Sequence, residues 1–347
     1  MGSPLRVGIA ADLRPEPPPP GVGPDDRFEE YDSPRTVEAI AAALAARGHA
    51  PRFLGGGRAF LQAVLGDPPD LVFNLAEGSG TRSREAHVPA VCEMLGIPFT
   101  GSDPLTLAAA LDKSVAKRLV ASAGLATPRG WVVESRADLS GLDLRFPLIA
   151  KPLREGSSIG IRRGSRVEDR AALEAAVDRL LEDYAEPVLV EEFCEGPEFT
   201  VAVLGEGPRA AALGVMEIVP RAGSLREFVY SVEVKRNWRE EVLYRVPPDR
   251  PAEVVLAVEE LAVAAARVLG CRDLSRIDVR TGSDGRPCFL EANPLPGLAP
   301  GTSDVVILAE RVGIPYAELI DRVVLGALSR GRAARARGVV EVTCAAQ

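Results

Sequence analysis

The stretch SRIDVRTGSDGRPCFLEANPLPGL, Ser275–Leu298, decides how the rest of the chain is read. Two runs of alternating apolar and polar residues, RIDVR and PCFLEAN, flank the turn residues Gly282-Ser283-Asp284-Gly285, which is the pattern of a β-hairpin. Paired across that turn, Asp278 faces Glu291 and Arg276 faces Asn293. Side chains alternate across a strand, so Arg276, Asp278, Glu291 and Asn293 then share one face. Two facing carboxylates repel and destabilise a sheet. A hard divalent cation reverses the sign of that interaction, and Mg2+ takes one or two carboxylates plus substrate phosphate oxygens. A solvated face on which Arg276 compensates the acids accounts for the same pattern. The hairpin alone leaves both readings open.

Upstream, IAKPLREGSSIG (Ile149–Gly160) places Lys151 at a strand end, followed by a loop containing Gly156, Ser157, Ser158 and Gly160. Such a loop turns backbone N–H groups and hydroxyls inward around phosphate oxygens, with a lysine as point charge. It is neither a Walker A loop nor a GxGxxG dinucleotide turn, and glycine-rich hairpin loops that bind nothing are common.

Around these segments the chain alternates strand and helix. An apolar run at Leu5–Ala10 reads as a strand, and Pro15–Asp26 as a Pro/Gly loop. Ser33 is an N-cap with Pro34 at the first helical position, Val37, Ile40, Ala41 and Leu44 follow at helical spacing, and Gly48 ends the helix. Leu71–Asn74 is a buried strand, followed by a helix over Glu85–Leu95. This order predicts an α/β domain with a largely parallel sheet over residues 1–104. A long helical segment from Pro104 carries Lys113 and Lys117, four apart and so on one face. Strands at Gly130–Val133, Phe146–Lys151 and Val188–Glu192 and a helix at Arg170–Tyr184 predict a central α+β domain over 105–190. Strands at Phe199–Leu204, Ala210–Val219, Ser275–Arg280 and Cys288–Ala292 with an Ala-rich helix, Ala252–Leu269, predict a C-terminal α+β domain over 191–335. The basic tail after Gly331 is expected to fray, with residues 336–347 outside the domains.

Bulk properties narrow the function. The chain has 347 residues, 46% hydrophobic and 26% charged, with a net charge of −8. No Lys/Arg cluster interleaves with aromatics, which argues against nucleic acid as a partner. No apolar run approaches the roughly 20 residues of a membrane span, and the N-terminus lacks a signal-peptide core, so a cytoplasmic location is expected. Cys92, Cys194, Cys271, Cys288 and Cys344 show no CxxC spacing and read as reduced thiols.

Taken in order, LGIPFTGS (Leu95–Ser102), LDKSVAKRL (Leu111–Leu119), AKPLREGSSIG (Ala150–Gly160), VEEFCEGPEFTVAVL (Val190–Leu204), SRIDV (Ser275–Val279) and LEANPLPGL (Leu290–Leu298) resemble the D-alanine–D-alanine ligase family of ATP-grasp enzymes. The resemblance runs from about Leu71 to Val324. It implies an ATP-grasp fold with ATP between the central and C-terminal domains, and formation of an amide through an acyl phosphate. It implies that Lys113, Lys151 and Lys235 contact the ATP phosphates, under a mobile loop carrying Ser157 and Ser158. Glu191, Phe193 and Cys194 would form the adenine hinge, and Glu198 would accept from the ribose hydroxyls. Asp278, Glu291 and Asn293 match the family's Mg2+ ligands (Mn2+ being an alternative ion), and Arg276 with the Gly297 N–H matches its oxyanion site. Family members are commonly homodimers acting on small amino-acid-type substrates.

The departures gather at the amino-acid subsites. The family's N-terminal glutamate, which binds the first substrate's ammonium, is replaced by RFEEYDSPRT, leaving Glu30 or Asp32 as its substitutes. The His-Gly and Gly-Glu-Asp-Gly segment becomes NLAEGSGTRSREAH, with Glu77 at the histidine and Glu85 near the acidic pair. Arg236 stands where a tyrosine follows the loop lysine, and the second-substrate segment reads PGTSDVV, with Ser303 and Asp304. An altered substrate pair is therefore expected, either within D-alanyl-D-alanine-like chemistry or in a specialised ligase such as those of mycosporine-type biosynthesis. A non-catalytic ATP-binding scaffold is the contrasting class, against which the full phosphate and metal set argues. A dehydrogenase is disfavoured, since no GxGxxG follows the first strand.

Overall fold

A computed structural model describes residues 4–17 and 23–336. Three sheets organise the chain. The first, in the order Ala50–Phe53, Arg6–Ala11, Leu71–Leu75, is all parallel. Its central and third strands are almost wholly buried, as expected of strands covered on both faces. One cover is the helix Pro34–Ala46, which Ser33 caps by accepting from the Thr36 N–H, with Pro34 at its first turn. On the opposite face Phe60, Val64, Val88 and Cys92 pack against Ala10 and Val72.

The second sheet is four-stranded and antiparallel where paired, in the order Gly130–Val133, Val188–Glu192, Leu148–Pro152, Arg166–Val167. The helix Arg170–Tyr184, capped by Asp169, lays Leu173, Ala176, Val177 and Leu180 on it. The third sheet is five-stranded and antiparallel: Val242–Arg245, Ala211–Pro220, Glu198–Leu204, Leu274–Thr281, Pro287–Asn293. Helix Ala252–Leu269, closed by left-handed Gly270, covers one face through Val258, Ala262, Ala265 and Leu269. On the other face one continuous core joins Met216 and Ile218 to Val305–Ala309, to Leu319 and Ile320, and on to Ile9 and Ile40 of the first unit. The first and third sheets thus share a core, while the second has its own.

The structure corrects three readings of the sequence. The helical segment from Pro104 is two helices, Pro104–Leu111 and Lys113–Ser122, because Asp112 leaves helical geometry and caps the second by accepting from the Val115 N–H. The element at Glu85 is a short 3-10 turn, Arg84–Ala86, leading into the helix His87–Leu95. The last helix, Tyr316–Ala336, continues past Gly331 instead of fraying there. Residues 337–347, most of the expected tail, lie outside the described residues. Among the described residues no helix is long and apolar enough to cross a membrane.

Candidate active site

The hairpin pairs Asp278 with Glu291 and Arg276 with Asn293, as its alternation predicts. The register is reached by a bulge. Near the turn Thr281 faces Pro287 and Val279 faces Phe289, so an unbroken ladder would set Leu290 opposite Asp278. Leu290 is the extra residue, and by adding it the chain moves Glu291 onto the face of Asp278. In the structure Arg276 compensates both acids. Its Nε lies 3.0 Å from Asp278 Oδ2 and its Nη2 3.9 Å from Glu291 Oε1, while Thr200 Oγ1 donates to Asp278 Oδ1 at 2.9 Å. Burial opposes ionisation of Glu291, yet Lys113, Lys151 and Arg276 together hold its carboxyl down at about 2. Burial raises Asp278 above the ordinary aspartate range against the pull of Arg276. Two ionisable oxygens ligands plus the Asn293 amide fit a hard cation whose remaining ligands come from phosphate. Among the described residues no cluster of three His, Cys, Asp or Glu could hold a metal unaided.

Asp278, Glu291 and Arg276 line a cavity between the second and third sheets, with Lys151, Ser157, Ser158, Glu191, Phe193, Cys194, Glu198, Lys235 and Asp304. Glu191, 1% exposed, is held between two lysines, with Oε1 2.6 Å from Lys151 Nζ and Oε2 2.8 Å from Lys117 Nζ. Burial opposes its charge, but the two lysines hold its pKa below the usual carboxylate value. Glu198, facing Arg280 at 3.4 Å, is pushed up to about 7 by burial. Lys113 stands behind the cavity wall: its ammonium donates to the Glu155 carbonyl and lies 3.6 Å from Glu291 Oε2. Burial, with Arg276 nearby, lowers the Lys235 pKa.

The loop after Lys151 has two consecutive serines in the left-handed region, Ser157 at φ 50° and Ser158 at φ 62°. Non-glycine residues held there cost of order 1–3 kcal/mol each and persist only where the surroundings fix them. The surroundings do fix them. Glu30 accepts from the Gly156 N–H, Asp26 from the Gly160 N–H at 3.0 Å, and the Tyr230 carbonyl from Ser158 Oγ at 3.1 Å. A Cβ at Gly156 would collide with the Glu30 carboxylate.

Next to the first cavity, and sharing Ser157, Tyr230, Lys235, Arg276 and Asp304 with it, lies a second of about 480 Å³. Asn293, Gly297 and Ser303 line it, as do Glu30, Asp32, Glu77 and Arg236. The subsite candidates separate here. Both oxygens of Glu30 are engaged, one by Gly156 and the other by Arg84 Nη2 at 2.5 Å. Asp32 and Glu77 have no cation within ion-pair distance among the described residues. Burial raises both, Asp32 to about 6 and Glu77 well above its ordinary value. Glu85, 7% exposed, is not on this wall, and burial with Glu30 alongside pushes it up to about 8. Ser303 Oγ accepts from the Ala299 N–H at 2.9 Å. Asp304 accepts from Tyr244 Oη at 3.0 Å and lies 3.7 Å from Arg276 Nη1.

Several residues of the site carried no assignment from sequence. Lys117 had the only available signal, its four-residue spacing from Lys113 on one helical face. Arg84, Asp25 and Asp26 are brought in from far along the chain. Tyr230 and Tyr244 stand on a segment and a strand that had no assignment.

The chain is matched over residues 121–325 by the family model described as D-ala D-ala ligase C-terminus. A D-alanine–D-alanine ligase of Cupriavidus taiwanensis is 39% identical over 254 residues, 72% of this chain and 73% of that protein. An uncharacterized protein, y4sG, of Sinorhizobium fredii is 33% identical over 324 residues, 89% of each chain. The crystal structure of the D-alanine–D-alanine ligase of Bacillus anthracis superposes with a TM-score of 0.72 at 21% identity, covering 95% of this chain and 99% of that one. Glu30, Asp32, Glu77 and Glu85 lie outside the segment matched by the family model.

Proposed function

Because the chain belongs to the D-alanine–D-alanine ligase family, we propose that it is an ATP- and Mg2+-dependent carboxylate–amine ligase working through an acyl phosphate on a substrate pair other than two D-alanines. The observation that carries the reading is the bulged hairpin, which sets Asp278, Glu291 and Asn293 beside Arg276 at the junction of the two cavities.

Adenine would lie against the backbone of Phe193 and Cys194, with the ribose hydroxyls donating to Glu198. Lys113, Lys151 and Lys235 neutralise phosphate charge, and the left-handed pair Ser157–Ser158 presents its backbone N–H groups to the same oxygens. Mg2+, held by Asp278, Glu291 and Asn293, would supply charge neutralisation on the transferring phosphoryl group. The donor carboxylate attacks the γ-phosphorus and ADP leaves. The acceptor amine then adds to the acyl carbon, loses a proton and expels phosphate. Arg276 and the Gly297 N–H hold the tetrahedral oxyanion, a contact whose loss typically costs about 2.7–4 kcal/mol. Closure of the loop over the site excludes water, which would otherwise hydrolyse the acyl phosphate.

The altered substrate choice is supported by Asp304, whose charge at the start of Asp304–Arg311 opposes an incoming carboxylate, and by Glu77 and Asp32 on the cavity wall. The same reading divides the chain into a substrate domain over 1–104, a lid domain over 105–190, a catalytic domain over 191–335 and a tail over 336–347. It carries a homodimer with it by family likeness. ADP release screened across D- and L-amino acids, singly and in pairs, with product masses read out, tests the proposal. Stimulation by a pair with a condensation product is the expected result. Nucleotide binding without stimulation by any amine or carboxylate would overturn it.

A further inference from the structure

Four side chains form a chain of contacts ending on Arg276. Tyr244 Oη donates to Asp304 Oδ1 at 3.0 Å, and a carboxylate can only accept there. The single Tyr244 proton is thereby committed, so the 2.5 Å contact between the two phenols is donated by Tyr230. Tyr244 is fixed further by stacking on Trp238, with centroids 4.8 Å apart and planes 10° apart. Asp304 is 8% exposed and is the first residue of its helix, where the helix dipole favours negative charge. Its other oxygen lies 3.7 Å from Arg276 Nη1. At the far end, the Tyr230 carbonyl accepts from Ser158 of the phosphate loop.

Arg276 has three carboxylates within ion-pair distance, Asp278, Asp304 and, at 3.9 Å from Nη2, Glu291. Asp278 takes Nε and Nη2, at 3.0 and 2.9 Å, while Asp304 faces Nη1. Asp278 cannot serve both the guanidinium and a cation at full strength, because each draws on the same oxygens. We propose that Asp304, held by Tyr244 and Tyr230, is a positioning residue: it retains the Arg276 guanidinium at the oxyanion site and draws it off Asp278 when that carboxylate takes metal. The inference rests on the ligase reading for its catalytic meaning, whereas its effect on metal affinity needs no known substrate.

The test uses the full chain, ADP and Mn2+ as the probe, with free Mn2+ measured by electron paramagnetic resonance. Asp304→Asn keeps an oxygen for Tyr244 but removes the charge, so Arg276 remains on Asp278 and the Mn2+ dissociation constant rises about tenfold, the equivalent of about 1.4 kcal/mol. Asp304→Glu restores it to within about twofold. A charge acting at a distance would weaken Mn2+ equally without Arg276. A double-mutant cycle with Arg276→Ala therefore separates the two, and Asp304→Asn is expected to have less than about a twofold effect in that background. With any substrate pair that stimulates the wild type, Asp304→Asn lowers kcat by at least about tenfold and leaves the KM for ATP within about twofold, since Arg276 is then less well placed for an oxyanion that exists in the transition state only. Should Asp304→Asn not fold, Tyr244→Phe keeps the charge but frees the carboxylate, and a smaller shift in the same direction is expected. Unchanged Mn2+ affinity in a folded Asp304→Asn protein, or an equal shift in both backgrounds, overturns the inference. A wild type that no substrate stimulates would overturn the ligase reading and leave the Mn2+ result standing.

Discussion

Arg236 Nη1 lies 2.6 Å from Asp25 Oδ2, across 211 residues of chain. Arg236 Nη2 also reaches Glu29, at 2.8 Å, and Asp25 pairs in turn with Arg162 just beyond the phosphate loop. One arginine thus ties the N-terminal segment to the short helix Val232–Arg236, which carries Lys235, and through Asp25 to Arg162 after the phosphate loop. These ion pairs are partly exposed, and such pairs contribute only about 0.2–1 kcal/mol each. Their effect is in placement. Arg236→Ala is expected to lower stability by no more than about 1 kcal/mol while raising the KM of the amino-acid-type substrate about tenfold, one hydrogen-bonded contact's worth. Thermal melts and steady-state kinetics on the same preparation check this. A large loss of melting temperature with an unchanged KM would make the contact a stabilising one only.

Glu191 behaves differently because it is buried with both its partners. Removing one member of a buried pair leaves uncompensated charge and costs about 3–5 kcal/mol. Glu191→Gln leaves Lys117 and Lys151 facing each other without their carboxylate. Its unfolding free energy in urea is therefore expected to fall by about 3–5 kcal/mol, with ATP affinity falling too, since Lys151 loses its orientation. A variant as stable as the wild type would mean that water or a neighbour takes over the role of the carboxylate.

How far the sequence carried the reading differs from element to element. Arg170–Tyr184 and Ala252–Leu269 are legible to the residue, because a capping Asp169 and a left-handed Gly270 mark their ends. The break at Asp112 was written in the chain as an N-cap aspartate, but continuous apolar periodicity from Pro104 masked it. The hairpin's face was legible from alternation, whereas the bulge at Leu290 was not: an extra residue in a ladder has no local signature unless glycine marks it. The long-range ion pairs were invisible. Nothing local to Glu30 tells that Arg84 and the Gly156 N–H reach its two oxygens from far along the chain.

The acids beside Glu30 set a pH dependence of stability. Burial pushes the Glu85 carboxyl up to about 8 from an ordinary 4.5. The folded state therefore holds a proton that the unfolded state releases. The stability this confers is fully present below about pH 4.5 and is lost as pH rises through 8. Glu85→Gln, which cannot ionise, is expected to melt higher than the wild type, with a gain that is absent near pH 4.5, grows to pH 8 and is flat above it. Each kcal/mol corresponds to about 1–2 °C in a chain of 347 residues, given an unfolding entropy of roughly 2.1 cal/mol/K per residue. Melting curves from pH 5 to 9 check this, and a gain that shrinks with rising pH would contradict the assignment.

Glu291 gives the opposite signature, whereas burial raises Asp278 beside it. Held at about 2, Glu291 stays ionised through the whole neutral range, so falling pH is expected to weaken metal binding first through Asp278. Glu291→Gln and Asp278→Asn each remove one of the two carboxylates of the proposed metal site. A metal's contribution of several kcal/mol to phosphoryl transfer makes a rate loss on the order of 10²-fold or more the expected result, with Mn2+ affinity in the ADP complex falling alongside. Mn2+ affinity that is unchanged in either variant would place the ion elsewhere.

Arg236→Tyr restores the residue that the family resemblance leads one to expect after the loop lysine, and it is still expected to give no efficient D-alanyl-D-alanine synthesis. The new tyrosine leaves Asp25 and Glu29 without their shared cation. It does nothing to Asp304, whose buried carboxylate stays beside Arg276, where a second alanine's carboxylate would meet it. Glu77, with no cation within ion-pair distance among the described residues, also stays on the wall of the adjoining cavity, where burial favours its neutral form and leaves Asp304 as the like charge. Specificity is a difference between two affinities, and a like charge within a few ångströms of the incoming group subtracts from one of them whatever is restored nearby. Product masses from D-alanine and ATP, compared for wild type and variant, decide the point: robust dipeptide from either protein would show that these carboxylates do not set substrate choice.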